Sequence, residues 1–249
     1  MRKKPPFPFV IGHRGSPRAA PENTLASFRQ AAGDGATWVE FDAALTADSR
    51  VVIFHDDELD RTSDGAGLMA DATFEQVTAL DAGSWFSPAF KGEMIPTLEE
   101  ALELFASLGL GFNMELKTDR GREVELAQVA LPIALDMWPG TNPTPLISSF
   151  SREALAAAKD IAPQWPRAYL FDRLPEDWRQ AAAALDVVSL NANQKHLTRE
   201  QVMELRGAGY AVMAYTVNDL ARAEILFGWG VDAIFTDIAG EMLAASAKL

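Results

Sequence analysis

Short runs of consecutive apolar residues alternate with stretches in which apolar positions recur every three or four residues, almost from one end of the chain to the other. The runs are too short for helices and end on polar or charged residues, which predicts strands buried on both faces. We place strands at 9–13, 38–42, 111–116, 145–149, 167–171, 187–191, 211–215 and 233–236. Helices are predicted at 24–32, 98–108, 122–136, 152–161, 176–185, 199–208, 220–228 and 241–247. Capping boxes fit the starts at Thr97 with Glu100 and Thr198 with Gln201. Gly33, Gly109, Gly207 and Gly228 are read as helix stops. Eight strand-then-helix units within 249 residues predict an α/β fold closed into a (β/α)₈ TIM barrel, with a doubly wound open sheet as the alternative. One catalytic domain is expected over 1–249.

The alternation breaks once. Residues 43–95 are far too many for an ordinary connection. Their first turn, 46–50, is too short for a parallel crossover, so an antiparallel hairpin is required. Folding back about Asp48 sets His55 opposite Phe41. The loop-rich remainder, with Leu68, Phe74, Leu80, Trp85, Phe86 and Phe90 as apolar anchors, is expected to form a small insertion subdomain beside the barrel mouth.

Composition narrows the function classes. A formal net charge of -13 argues against nucleic-acid and anionic-membrane partners. The chain has no cysteine, which removes disulfides, thiolate catalysis and thiolate-ligated metals. No apolar run reaches the length of a membrane span, and the basic start lacks the apolar core of a secretion signal. A cytoplasmic enzyme acting on a small molecule, as a monomer or homodimer, is expected.

Candidate chemistry gathers at strand ends. The first strand delivers His13 and Arg14. Glu40 and Asp42 are two apart on a strand and so share a face, and Glu115 ends the next barrel strand. Three hard oxygen donors without cysteine suit one divalent ion, Mg²⁺ or Ca²⁺; the bland alternative is a solvated edge or an ion pair with Lys117. His13 and the hairpin's His55 are candidate proton carriers beside these acids, against the alternative of hydrogen-bonded core histidines. Arg14 and Lys117 are placed to meet phosphate oxygens or merely to neutralise the acids. His196 is expected in an exposed loop, and Asn23 as the cap of the first helix. Trp85, Phe86 and Tyr215 could line a substrate pocket. The glycine-rich segment 65–70 fits a dinucleotide fingerprint loosely, but no strand precedes it.

Taken together, these pieces resemble the glycerophosphodiester phosphodiesterase family of the cytoplasmic bacterial type. The resemblance is carried by HRGSPRAAPENTLASF, VEFDAALTADSRVVIFHDDELDRTSDGAG, LDAGSWFSPAFKGEMIPTLEEAL, MELK, YTVN and GVDAIFTD, in order along nearly the whole chain. It implies a TIM barrel with a characteristic insertion after the second strand, and Glu40, Asp42 and Glu115 around a divalent metal. It implies His13 and His55 as general base and acid, with Arg14 and Lys117 on the phosphate. The implied reaction converts glycerophosphodiesters, such as glycerophosphocholine and glycerophosphoethanolamine, to sn-glycerol 3-phosphate and an alcohol. Tyr215 stands where the family often has tryptophan, which bears on the alcohol preferred. A non-catalytic phosphodiester-binding barrel and a phospholipase-type barrel hydrolase are the competing classes.

Overall fold

The computed structural model describes residues 7–118, 121–138, 140 and 142–246. The chain runs β1 (Val10–Gly12), α1 (Leu25–Gly33), β2 (Trp38–Leu45), β3 (Val51–Ile53), α2 (Phe74–Thr78), α3 (Leu98–Leu108), β4 (Gly111–Leu116) and α4 (Glu123–Met137). It continues β5 (Leu146–Ser149), α5 (Arg152–Ile161), β6 (Arg167–Phe171), α6 (Trp178–Leu185), β7 (Ser189–Asn193), α7 (Arg199–Gly207), β8 (Ala211–Tyr215), α8 (Leu220–Trp229), β9 (Ala233–Thr236) and α9 (Ala239–Ser246). Single turns of 3₁₀ helix lie at Met69–Asp71 and Pro88–Phe90.

Eight parallel strands pair in the circular order β1-β2-β4-β5-β6-β7-β8-β9, and the β1–β2 pairing of Gly12 with Val39 closes the barrel. The fold is therefore a TIM barrel, not the open sheet. Strand parity divides the apolar residues into two cores. Val39, Phe41, Phe112, Met114 and Ile147 face outward and pack under the helices. Ile11, Trp38, Leu146, Met213 and Phe235 fill the barrel interior. Trp38 lies across Gly111 so closely that a Cβ there would meet the indole at 2.4 Å, so among the described residues the indole fills the lower barrel.

β3 adds to β2 antiparallel with Ala43 opposite Ile53, and the Phe54 N–H donates to the Asp42 carbonyl at 2.9 Å, the register expected from folding about Asp48. The rest of 43–95 has its own small core of Val52, Phe54, Leu59, Met69, Val77, Ala82 and Ile95, with Phe74 and Leu80 packed against it. Four of the expected anchors differ. Leu68 is outside that core, while Trp85, Phe86 and Phe90 stack edge-to-face on one another toward the outside, with Trp85 40% exposed. Phe54, Leu59, Met69 and Ile95 supply the bulk of that core instead.

Both expected capping boxes form, at Thr97 and Thr198, and a third at Thr73. Of the expected glycine stops, only Gly109 takes the left-handed cap. Gly33, Gly207 and Gly228 remain helical, and the left-handed glycines are Gly35, Gly209 and Gly230, two residues further on. Among the described residues no helix is long and apolar enough to cross a membrane.

Candidate active site

β1 ends at Gly12, and the chain then turns so tightly that a Cβ on Gly12 would meet the Gly15 carbonyl oxygen at 2.5 Å. Arg14 adopts the left-handed conformation (φ 51°), a strain of about 1–2 kcal/mol for a residue with a Cβ. Its contacts hold it there. The Arg14 N–H donates to Glu40 Oε2 at 3.0 Å, and Nη1 donates to Glu22 Oε1 at 2.7 Å. Nε approaches Asp42 Oδ2 at 3.2 Å as an ion pair without an aligned hydrogen. The turn also leaves His13 pointing into the mouth, where Nδ1 meets Asp237 Oδ1 at 2.7 Å and Nε2 stands 4.0 Å from Glu40 Oε2.

Glu40 and Asp42 point to the interior from β2, and β4 registers Glu115 beside Asp42. One carboxylate oxygen from each lies within 4.8 Å of the others. Glu40 and Asp42 are buried, at 3% and 1% exposure. Burial pushes the Glu40 carboxyl well above the usual range, reinforced by Asp42 and Glu115. Burial raises Glu115 too, with the Asp42 charge adding to it against the pull of Lys117. Burial also opposes ionisation of Asp42, but Lys117, Arg14 and His55 together outweigh it and keep that carboxylate charged. Lys117 sits 3.2 Å from Glu115 and 3.5 Å from Asp42.

The group fits a divalent cation on the chemistry of its donors. Glu40 Oε1 is buried and accepts no hydrogen bond. A buried, partnerless carboxylate oxygen beside two further carboxylates is costly unless a cation completes the set. All the donors are hard oxygens, which suit Mg²⁺ or Ca²⁺.

His55, returned by the hairpin, places Nδ1 2.6 Å from Asp56 Oδ1. Burial holds its imidazole below the ordinary range, with Lys117 and Arg14 adding to the effect and Asp42 opposing it. His55 and Lys117 share an open groove of about 760 Å³ with Asp57, Arg61 and Thr118. Across the mouth, Tyr215, Phe150 and Leu170 join His13, Glu40, Asn113 and Glu115 around a narrower pocket of about 30 Å³. The Tyr215 hydroxyl donates to the Phe171 carbonyl at 2.9 Å, so its ring edge, rather than its polar end, serves the pocket. Trp85 and Phe86 line neither pocket.

Every site residue expected from the sequence except these two aromatics therefore converges on one mouth. Two expectations of position differ. The cap of α1 is Thr24, while Asn23 (φ 57°) turns inward and donates from Nδ2 to Asp42 Oδ2 at 2.8 Å. His196 is half-buried, 3.6 Å from Asp172. Sequence reasoning missed Glu22, Asn23, Asp56, Arg61 and Asp237. Asp237 follows β9 directly, and the rule that singled out His13 at a strand exit would have found it. Arg61 lies in a turn, with no local pattern to mark it.

The glycerophosphoryl diester phosphodiesterase family model matches residues 13–241. The protein YhdW of Bacillus subtilis is 34% identical over 236 residues, covering 92% of this chain and 94% of its own. A glycerophosphodiester phosphodiesterase of Caldanaerobacter subterraneus is 34% identical over 233 residues, covering 92% of this chain and 93% of its own. Among solved structures, an Oleispira antarctica phosphodiesterase in complex with the product sn-glycerol-3-phosphate superposes with a TM-score of 0.94 at 40% identity, covering 96% of this chain and 97% of that one. The barrel, the acid cluster at its open end and these matches over nearly the full length agree: the chain belongs to the glycerophosphoryl diester phosphodiesterase family and is a phosphoric diester hydrolase.

Proposed function

We propose that the enzyme hydrolyses glycerophosphodiesters, with glycerophosphocholine and glycerophosphoethanolamine as representative substrates, to sn-glycerol 3-phosphate and an alcohol. The observation that carries this reading is a pair of histidines flanking three clustered carboxylates, each with Nδ1 on an aspartate, at 2.7 Å for His13 and 2.6 Å for His55. A carboxylate on Nδ1 keeps a proton there and frees Nε2 to take and give one. The product seen in the Oleispira relative supports the same end product here.

In this reading residues 43–95 are an insertion subdomain that delivers His55, and Glu40, Asp42 and Glu115 hold one Mg²⁺ or Ca²⁺. When bound, the ion neutralises the acids and draws charge from the phosphoryl oxygens. Arg14 and Lys117 hold the phosphate from its flanks. His13 Nε2 takes the proton of the glycerol 2-hydroxyl as that oxygen bonds to phosphorus. His55 Nε2 gives a proton to the alcohol oxygen as its bond to phosphorus breaks. A water molecule then opens the cyclic phosphate, losing its proton to His55, while His13 returns a proton to the 2-oxygen. Both rings end as they began. Burial lowers the His55 pKa in the free site, and the charge of the bound phosphodiester anion favours the protonated ring, which takes its proton from solvent before the alcohol leaves. Tyr215 and Phe150 form an apolar wall of the substrate pocket.

A coupled sn-glycerol 3-phosphate assay tests the proposal. Chelation should abolish turnover and added Mg²⁺ or Ca²⁺ restore it. His13→Ala and His55→Ala should each lose about 10²–10⁴-fold in kcat. Near-normal turnover by either variant would defeat that residue's role, and full turnover of a diester lacking the 2-hydroxyl would replace the cyclic route with direct attack by water.

A further inference from the structure

Arg61 stands outside the residues discussed so far as chemistry, yet it is bonded to partners of both halves of the site. Its Nη1 and Nη2 donate to Glu22 Oε2 and Oε1, each at 2.8 Å. Its Nε donates to Asp56 Oδ2 and Nη2 to Asp56 Oδ1, the latter at 2.9 Å. The two oxygens gripped by Nη2 are the ones that hold site residues: Glu22 Oε1 accepts from Arg14, and Asp56 Oδ1 meets His55 Nδ1. One guanidinium thus closes a chain from Asp42 through Arg14, Glu22, Arg61 and Asp56 to His55.

The two ends of that chain come from different parts of the fold. Arg14 and Glu22 belong to the connection after β1, and Asp56 and Arg61 to the segment after β3. His55 lies just past the last ladder bond, from the Phe54 N–H to the Asp42 carbonyl, and its ring is aimed by Asp56 rather than by backbone pairing. The Arg61 turn is itself pinned. Leu59 is buried in the insertion's core, its N–H donates to the Gly67 carbonyl, and Ser63 Oγ donates to the Leu59 carbonyl. A planar fork with two carboxylates at fixed angles transmits position as well as charge, which an ammonium does not.

We propose that Arg61 is a positioning residue for the phosphodiesterase reaction. It sets the distance between His55 and Arg14, and keeps Asp56 on the Nδ1 side of His55. The proposal rests on the reading of His55 as an acid–base group. Misplacement of such a group by about an ångström is worth about 10²-fold in rate.

The test measures kcat and KM of metal-loaded enzyme for wild type, Arg61→Ala, Arg61→Lys and His55→Ala, with thermal midpoints for each. Arg61→Ala should lose about 10²-fold in kcat with KM changed far less. Arg61→Lys should recover little, because one ammonium cannot span both carboxylates. Millimolar methylguanidinium should raise the kcat of folded Arg61→Ala about tenfold and leave His55→Ala unchanged. A purely structural role would lower the midpoint without a rescue of kcat. If His55→Ala is inactive while Arg61→Lys keeps wild-type kcat, the fork is overturned; absence of rescue overturns it too. If His55→Ala itself stays active, the underlying reading of His55 falls instead.

Discussion

Asn23 offers a measurable handle on how the acid cluster is held. It is 3% exposed, its Nδ2 donates to Asp42 Oδ2 at 2.8 Å, and it pays for that reach with a left-handed backbone (φ 57°). Asn23→Ala removes a hydrogen bond to a buried carboxylate, worth about 1.5–3 kcal/mol. It also places a residue that cannot bond locally in the left-handed region, where the cost is about 1–2 kcal/mol. The sum is a loss of about 3 kcal/mol in the metal-free protein. Asn23→Gly accepts the backbone but not the hydrogen bond, and should lose about 2 kcal/mol. Asn23→Asp should be the worst at neutral pH, since it sets a second carboxylate at hydrogen-bonding distance from the first. Urea unfolding of chelator-treated protein, compared at unchanged slope, reads these differences directly. An Asn23→Ala variant within about 0.5 kcal/mol of wild type, the range of ordinary surface changes, would refute the claim that this bond supports Asp42.

Other outcomes follow from the same geometry. The Asp56 carboxyl is lowered from 3.8 to about 2, burial opposing and the hydrogen bonds from Arg61 and His55 prevailing. A depressed carboxylate stabilises the fold above its unfolded value and ceases to as pH falls through its folded one, so Asp56→Asn should flatten the acid-unfolding curve between pH 3.8 and about 2. Glu40 behaves oppositely: because folding raises its pKa, the metal-free protein should lose stability as pH rises above 4.5, and Glu40→Gln should remove that slope while abolishing metal-dependent turnover. Gly15→Ala should fail on two counts. Its φ is +89°, and the new Cβ would lie 2.4 Å from Ser27 Oγ, a hydroxyl that accepts from the Ser16 N–H and donates to the Arg14 carbonyl. A loss of about 3 kcal/mol and a large fall in activity are expected, checked by thermal unfolding and the coupled assay.

Strand parity and strand ends were readable in one dimension. Each barrel strand is covered on both sides, so its apolar run stands out, and the side-chain period of two fixes that Glu40 and Asp42 share a face. The hairpin was legible for a geometric reason: a turn at 46–50 cannot cross over a sheet, so the return of His55 to the acids followed from counting. The three clustered acids and both histidines were therefore legible in the sequence, and the resemblance to a known family pointed to the same residues.

What the linear pattern could not hold is everything set by contact between distant turns. Asn23 reads as a helix cap because asparagine before an apolar-periodic segment usually is one; only the turn after β1 shows that Thr24 takes that part and frees Asn23 for Asp42. Tyr215 reads as a polar aromatic in a pocket until Phe171, 44 residues away, claims its hydroxyl. Arg61 is one charged loop residue among many until Glu22, 39 residues earlier, and Asp56 meet on its two edges. The sequence by itself determined the barrel, the hairpin and the identity of the acids and histidines, because periodicity and turn length are local properties of a chain. Which oxygen each cation grips, and so how firmly those acids and histidines are aimed, was decided by tertiary packing, since hydrogen bonds of about 3 Å depend on where separate loops end up in space.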